Sequence, residues 1–525
     1  MNERRRGEVS SVSGFIVLST SQMQAAEKAA IAAGVGSAGL METAGGKVAE
    51  TIMLAWTKRP VVVICGPGNN GGDGFVVARR LADAEWPVKV AEIGDPQKLT
   101  GDAKLMADLY QGERAAFAND SLEGAGLIVD AIFGTGISRD VDGAAKQAID
   151  AINAHSAAVV AVDLPSGIHS DTGFVMGAAV SATRTITFFQ RKPGHLLFPG
   201  RAFCGQIDVA DIGIEADHVR DLTPDIFENH PALWGSQFRR PDWRAHKYHR
   251  GHVFAVSGER AQSGAIRLAA TGALRVGAGL VTVLSPKDAI DAHSAQLNAI
   301  MLRAIDGADH ISEQLGAKEN YQRICLLGPG NGVGEATREN VLAALRSNAG
   351  AVLDADALTS FADDRDTLFQ ALRGNDVLTP HAGEFAGVFP IIDLGEGRLA
   401  AARTASRRCG AVVVFKGADT VIASPDGRCA INTNAPGDLA TAGAGDVLAG
   451  FIAGFLAQGM SGFDAACAGV WFHGACAQTI GPGLIAEDLP NAVPAVLRTL
   501  LSPPTQRDTQ QQNQAQNPAA ASPGL

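Results

Sequence analysis

Short, uninterrupted apolar runs recur along this chain and constrain its fold more than any other feature. In the first half they are Val61 to Cys65, Val88 to Ile93, Leu127 to Asp130 and Val159 to Asp163. In the second they are Val253 to Val256, Leu280 to Leu284, Ile324 to Leu327, Ala351 to Asp354 and Ala411 to Phe415. Apolar runs without alternation read as parallel strands buried on both faces. Helical stretches lie between them, for example Gly74 to Ala84 and Gly143 to Ala154. Strand and helix therefore alternate, which predicts an α/β class of doubly wound parallel sheets with ligands at the carboxyl ends of the strands. The polar stretch Ile214 to Trp243, carrying Pro224, Pro231 and Pro241, separates the two series. It sets an expected boundary between two fused three-layer domains, residues 1–228 and 229–503. The remaining 504–525 is Gln, Asn, Pro and Ala with little apolar bulk, and is expected to be a disordered tail.

Composition narrows the class of partner. The 525 residues are 46% hydrophobic and 6% aromatic with 61 glycines, which fits compact α/β layers joined by tight turns. A net charge of −11 argues against a nucleic-acid partner, which calls for a basic stripe. No apolar run reaches the ~20 residues of a membrane span. After Arg4-Arg5-Arg6, the patch Phe15 to Leu18 is too short for a signal h-region. The seven cysteines are scattered and never form a CxxC pair, so they read as reduced core thiols. A cytoplasmic homo-oligomer acting on small molecules, with no nucleic acid or membrane partner, is the expectation.

Two loop systems carry chemistry. Gly66-Pro67-Gly68-Asn69-Asn70-Gly71 satisfies G-x-G-x-x-G between a strand and a helix, and Glu92 closes the next strand where a dinucleotide fingerprint wants an acid. The two asparagines and the following Gly72-Asp73 add oxygens that a pyrophosphate turn does not need. Oxygen donors from Asn70, Asp130 and Ser166, at the ends of three strands, suit a hard cation such as K⁺ better. In the second half, Thr441-Ala442-Gly443-Ala444-Gly445-Asp446 opens an apolar helical stripe of Val447, Leu448, Phe451, Ile452, Phe455 and Leu456. Gly443 and Gly445 let N–H groups converge on an anion at the positive end of that helix. An acid among such donors reads as a base that takes a hydroxyl proton while the loop holds a phosphate. His246, His249 and His252 form an HxxHxxH, read as a polar loop because it runs straight into a strand. Cys65 reads as a small core residue at a strand end.

The motifs resemble known families. MQAAEKAAI from Met23, LMETAG from Leu40, CGPGNNGGDGFVVARRL from Cys65, VDAIFGTG from Val129 and VDLPSG from Val162 resemble the NAD(P)H-hydrate epimerase domain over about residues 15 to 215. The resemblance implies that Asn69, Asn70, Gly71, Gly72 and Asp73, with Gly134, Thr135, Gly136, Ile137, Ser138, Arg139 and Asp140, contact the hydrated nucleotide. It implies that Asn70, Asp130 and Ser166 hold K⁺, and that Asp163 is the acid/base at the ring, with Lys192 assisting. LLGPGNG from Leu326, VLDADALT from Val352, LTPHAGEF from Leu378, FKGADT from Phe415 and the stretch Asn434 to Gly459 resemble the ADP- or ATP-dependent NAD(P)H-hydrate dehydratase, a ribokinase-like fold, over roughly 240 to 500. The chain departs from that pattern at Ala442, Ala444, Ala382 and Thr359. Carried over, Ala265, Gly332, His381 and Asp446 line the hydrate site, while Lys416, Gly417, Ala418, Asp419, Thr420 and Gly445 hold the nucleotide.

Together the halves resemble the bifunctional NAD(P)H-hydrate repair family, whose substrates are hydrated NADH and NADPH (NADHX and NADPHX). In that chemistry a carboxyl group protonates the C6 hydroxyl, the ring nitrogen expels it, and water re-adds to either face. One carboxyl group alternating between acid and base suffices. In the other half, Asp446 deprotonates the same hydroxyl for attack on a phosphoryl group of ADP or ATP, delivered with Mg²⁺, and phosphate then leaves. The competing readings are a ribokinase-superfamily small-molecule kinase with an N-terminal nucleotide-sensing module, and a non-catalytic nucleotide-binding scaffold.

Overall fold

The computed structural model describes residues 13–118, 120–215, 222–238, 243–316 and 321–502. The expected tail, 504–525, and the basic start at Arg4 to Arg6 lie outside them. Contacts divide the chain into two compact units. One comprises residues 1–237, 372–374 and 380–433; the other comprises 238–371, 375–379 and 434–525.

The apolar runs of the first half form a seven-stranded parallel sheet ordered Glu113–Ala116, Val88–Glu92, Val61–Cys65, Leu127–Ala131, Ala158–Val162, Arg184–Phe188, Gln206–Ala210. Their lack of alternation follows from burial on both sides. Val61, Val63 and Cys65 pack into one apolar cluster with Phe75 and Val48, while Val62 and Ile64 pack into another with Ile149 and Ile152. From Val61–Cys65 the chain winds outward to one edge, then returns through Leu127–Ala131 and winds to the other. The order reverses between those two strands, so their following loops diverge and open a crevice at the carboxyl edge. The same unit holds a small mixed sheet. There Ile226–Glu228 pairs antiparallel with Ile16–Val17 and parallel with Cys429–Ile431, and the latter leads through Val421–Ala423 to Val412–Phe415.

In the second unit six parallel strands run Val377–Leu378, Gly350–Leu353, Arg323–Leu327, His252–Val256, Leu280–Pro286, Met301–Ile305. Here the reversal falls between His252–Val256 and Arg323–Leu327. Against this sheet pack the helices Ser263–Val276 and Ala444–Ala457. Their axes approach closely because two positions lack a side chain. A Cβ on Gly450 would sit 2.0 Å from the Ala269 carbonyl oxygen, and one on Gly454 2.4 Å from Val276 Cγ2. Phe451, Phe455 and Phe472 fill the space beside that crossing, all under 2% exposed.

This close approach generates a test. Helix propensity alone would favour Gly450→Ala by about 1 kcal/mol. The added methyl must instead force the packed helices away from each other, so the substitution should destabilise by about 1–3 kcal/mol net. Thermal unfolding of the full chain should show a midpoint lower by several degrees, and an unchanged or raised midpoint would show that the helices separate freely.

Candidate active site

A helix that starts on a glycine loop begins the first site. The helix spans Asn69–Asp83, beginning at Asn69 rather than at the expected Gly74, with Gly68 as a cap that offers no side-chain acceptor. Asn69 to Asp73 are thus its first turn, where N–H groups lack intrahelical partners. Gly71 is required there, because a Cβ would lie 2.0 Å from the Gly66 carbonyl oxygen. Asn70 is 9% exposed, and its Nδ2 has no hydrogen-bond partner among the described residues.

The loops after Val61–Cys65, Leu127–Ala131 and Ala158–Val162 enclose a cavity of about 500 Å³. Asn69, Asn70, Asp73, Gly134, Thr135, Gly136, Ile137 and Asp163 line it, so the structure brings these expected contacts together. Gly71 and Gly72 pack behind it, and Ser138, Arg139 and Asp140 continue the loop outward as exposed residues. Met23, Gln24 and Glu27 of the helix Thr20–Ala32 supply another wall.

Asp163 has φ of 65°, a left-handed conformation that a non-glycine residue adopts only at a cost. Its Oδ1 accepts from Lys192 Nζ at 2.7 Å and Thr187 Oγ1 at 2.9 Å. Lys192, 1% exposed, also reaches Thr187 Oγ1 at 2.9 Å and the Phe188 carbonyl at 3.2 Å. Burial works to raise the Asp163 carboxyl, but the Lys192 ammonium, its hydrogen bond, His195 and the Thr187 hydroxyl together hold the group below the usual carboxylate range. His195 completes the network. The Lys192 N–H donates to its Nδ1 at 3.0 Å, so Nε2 carries the hydrogen and donates to the Asp163 carbonyl, 2.8 Å away. Burial, with Lys192 nearby, pushes the imidazole down to about 4, so it is neutral near pH 7.

Asp130 lies behind these loops at 0% exposed. It accepts from Ser166 Oγ at 2.5 Å, Ser166 N at 2.8 Å and Ile132 N at 3.3 Å. Burial raises its carboxyl to about 6 against those bonds. Glu92 is occupied elsewhere: Arg114 donates to its two oxygens at 2.9 and 2.8 Å. The acid that a dinucleotide turn needs is therefore committed to an ion pair with an arginine of the exposed edge strand. Cys65 is buried, and burial lifts its thiol well above the ordinary range.

In the same unit, His381 caps the helix Ala382–Val388, its Nδ1 accepting from Gly383 N at 2.9 Å and its Nε2 3.1 Å from Glu384 Oε1. Lys416 follows the strand Val412–Phe415, with Nζ 3.8 Å from Glu384 Oε2. Gly417 and Ala418 are exposed at the turn, which Thr420 closes by accepting from Gly417 N at 3.1 Å. Asp419 faces inward: its Oδ2 accepts from Phe198 N at 2.8 Å, and Oδ1 lies 3.0 Å from Arg398 Nε. Its carboxylate shapes the loop.

In the second unit, Gly443 begins the helix Ala444–Ala457 at φ 83°, where a Cβ would press on Leu268 Cδ1 at 2.8 Å. His473 Nε2 lies 2.9 Å from the Ala444 carbonyl. Gly445 and Asp446 occupy the first turn of that helix, both half-buried. Gly332 N donates to Asp356 Oδ2 at 2.8 Å. A Cβ on Gly330 would come 3.5 Å from Ala265 Cβ, so the GPGNG and GAGD loops both meet the helix Ser263–Val276, at Ala265 and Leu268. Asn331 ties the switch point: its Nδ2 donates to Val256 O at 2.7 Å and its Oδ1 accepts from Gly328 N at 2.6 Å. The three histidines of HxxHxxH diverge. His252 is buried with Nε2 2.8 Å from Thr282 Oγ1, while His246 and His249 stay in an exposed turn.

Glu27, Thr187, His195 and Asn331 went unassigned by the sequence reading. Met23 and Glu27 stand four residues apart on one helix face, a spacing from which Glu27 could have been found.

Residues 37–194 match the family described as YjeF-related protein N-terminus, and residues 253–491 the one described as NAD(P)H-hydrate dehydratase. The chain is similar to the bifunctional NAD(P)H-hydrate repair enzyme of Moorella thermoacetica, 38% identical over 502 residues, 88% of this chain and 92% of that protein. It is similar to the enzyme of the same description in Escherichia coli, 34% identical over 440 residues, 82% of this chain and 83% of that one. Among solved structures it resembles an ADP/ATP-dependent NAD(P)H-hydrate dehydratase from Bacillus subtilis co-crystallised with ATP and Mg²⁺, at 27% identity and TM-score 0.45, over 52% of this chain and 98% of that one. With the likeness to the curated relatives sustained across both halves, the chain belongs to the family of bifunctional NAD(P)H-hydrate repair enzymes.

Proposed function

We propose that this chain repairs hydrated NADH and NADPH at two sites. Residues 1–228 interconvert the R and S hydrates, and residues 229–503 use ADP or ATP to dehydrate the S hydrate. The observation that carries the epimerase reading is a buried carboxylate held ionised at the rim of a nucleotide-sized cavity: Asp163, tied to Lys192 at 2.7 Å. Asp163 handles the proton at C6, and Lys192 and His195 fix its charge and direction. Asn69 to Asp73 and Gly134 to Asp140 embrace the nucleotide. The seven cysteines, all buried and none in a disulfide among the described residues, support a reducing cytoplasmic setting. Among the described residues, no helix is long and apolar enough to cross a membrane.

For dehydration, Asp446 takes the C6 hydroxyl proton so that the oxygen attacks the terminal phosphoryl group. Phosphate then leaves as the ring nitrogen pushes, a far better departure than hydroxide. The N–H groups of Gly443 to Gly445, at the start of a 14-residue helix, stabilise the charge in flight. Lys416 to Thr420 hold the nucleotide, and Ala265, Gly332 and His381 contact the hydrate.

K⁺ fits the donor set of Asn70, Asp130 and Ser166, which is all oxygen on the ligand side. Asp130 is a buried carboxyl with no basic partner among its bonds, raised to about 6. A monovalent cation beside it would supply the missing counter-charge.

Two tests follow. The full chain, given a mixed pool of hydrated NADH with ADP or ATP, should restore the absorbance of the reduced nicotinamide; an accumulating phosphorylated alcohol would mark a kinase. Asp163→Asn should consume the S hydrate normally and the R hydrate at its spontaneous rate. Asp446→Asn should keep nucleotide affinity yet lose about 10² to 10⁴ in turnover, and a mutant retaining most of its rate would make Asp446 structural.

The K⁺ assignment has a pH signature. A carboxyl with its folded value raised to about 6 loses stability as pH climbs from its unfolded value through that point. K⁺ favours the ionised form, so its stabilisation should be present at about pH 7.5 and fade by about pH 5. Thermal shifts in KCl against choline chloride at equal ionic strength should show this, together with a faster epimerase. Identical midpoints and rates in the two salts would refute it.

A further inference from the structure

Epimerisation at C6 makes a geometric demand. The hydroxyl departs from one face of the ring and water enters the other. One alternating carboxyl group is enough where the side chain is free to move, but one fixed on one side cannot both protonate the departing oxygen and collect the proton of water arriving opposite. Asp163 is fixed: Lys192 and Thr187 occupy Oδ1, and Oδ2 is turned toward Gly134, 3.5 Å from where a Cβ there would stand.

The cavity holds a second carboxyl group from another element. Glu27 extends from the helix Thr20–Ala32, on the face it shares with Met23, and lines the same cavity as Asp163 and Asn70. The cavity is built for a polar ligand, because Asn70 Nδ2 is buried there without a partner among the described residues. Resting on the repair reading above, we propose that Glu27 is the second acid/base of the epimerase site, serving the ring face that Asp163 does not.

The step balances. The Glu27 carboxyl gives its proton to the C6 hydroxyl, the C6–O bond breaks, and the lone pair of N1 forms an N1=C6 iminium. A cavity water then bonds to C6 from the opposite face, returning the π pair to N1, and its surplus proton passes to Asp163. Solvent returns that proton to Glu27. The reverse direction exchanges the two roles.

The electrostatics suit this division. Burial raises the Glu27 carboxyl, with Lys192 opposing and Asp163 adding, so it retains a proton better than a surface glutamate. Asp163 stays ionised beside Lys192. Asp73 lines the cavity too, and burial, with Asp163 and Glu27 near it, raises its carboxyl well above the usual range. The charged or titratable groups around Glu27 are Lys192, Asp163, Asp73 and, in an adjoining cavity of about 140 Å³, Asp102.

The test uses the full chain with pure R hydrate and ADP, beside pure S hydrate. Glu27→Gln should cut R-hydrate consumption by about 10² or more, with S-hydrate consumption and thermal unfolding preserved. Glu27→Asp should recover some of the rate. The wild-type epimerase rate should fall on the alkaline side, and that limb should vanish in Glu27→Gln. The proposal is overturned if Glu27→Gln epimerises at a near wild-type rate, or if both variants are equally slow with the alkaline limb intact. A wild-type chain that leaves the R hydrate untouched overturns the repair reading itself.

Discussion

A parallel strand covered on both faces by helices has room for charge only where it ends, and the chemistry of this protein is arranged by that limit. Within the sheet, Val61 to Cys65 and Leu127 to Val129 are at most 1% exposed. Charged and amide side chains therefore appear at the strand exits: Asp130 one residue before the end of one, Asp163 just past the next, Asn70 on the helix after a third. The reversal of strand order spreads the loops so that these groups face one space. The second unit obeys the same limit, with Asn331 bonded across the ends of its two central strands.

Placing a carboxylate there is costly, and the surroundings show how the cost is met. A buried ion pair recovers its desolvation only when further hydrogen bonds complete it. Asp163 and Lys192 have them, from Thr187 and the Phe188 carbonyl, while the His195 ring holds the backbone of both residues. The left-handed backbone of Asp163, strained by about 1–3 kcal/mol, turns its side chain back toward that network. Such a group can serve as a base without rearranging at the moment of reaction.

Much of this was legible from the chain. The apolar runs were found as strands within a residue or two, and the glycine loops follow those strands. The loop residues converge because a doubly wound sheet leaves them nowhere else to go. What escaped was long-range or silent in period. Thr187 reads as an ordinary residue of the strand Arg184–Phe188, and only the packing of Lys192 beneath it reveals a partner. Glu92 looked available for a ribose until Arg114, from the neighbouring strand, was seen to hold it. The start at Asn69 was hidden because Gly71, Gly72 and Gly74 are poor helix formers, held helical by close packing.

The Pro-bearing stretch around residue 230 marks a change of sequence character, yet the chain stitches itself together across it. Ile226–Glu228 takes its parallel neighbour from Cys429–Ile431, Asn229 N bonds to Ile431 O at 2.8 Å, and Arg201 Nη2 donates to Thr433 O at 2.6 Å. Phe198 N, three residues beyond His195, bonds to Asp419 of the FKGADT turn. Severing the gene at this point would leave an amino-terminal fragment with a bare strand edge and a truncated polar seam. The segment that seats Lys192 and His195 would lose the turn that anchors it. Two stretches of unlike sequence are thus woven into one piece, so the isolated first half is a different molecule from the same residues in the whole chain.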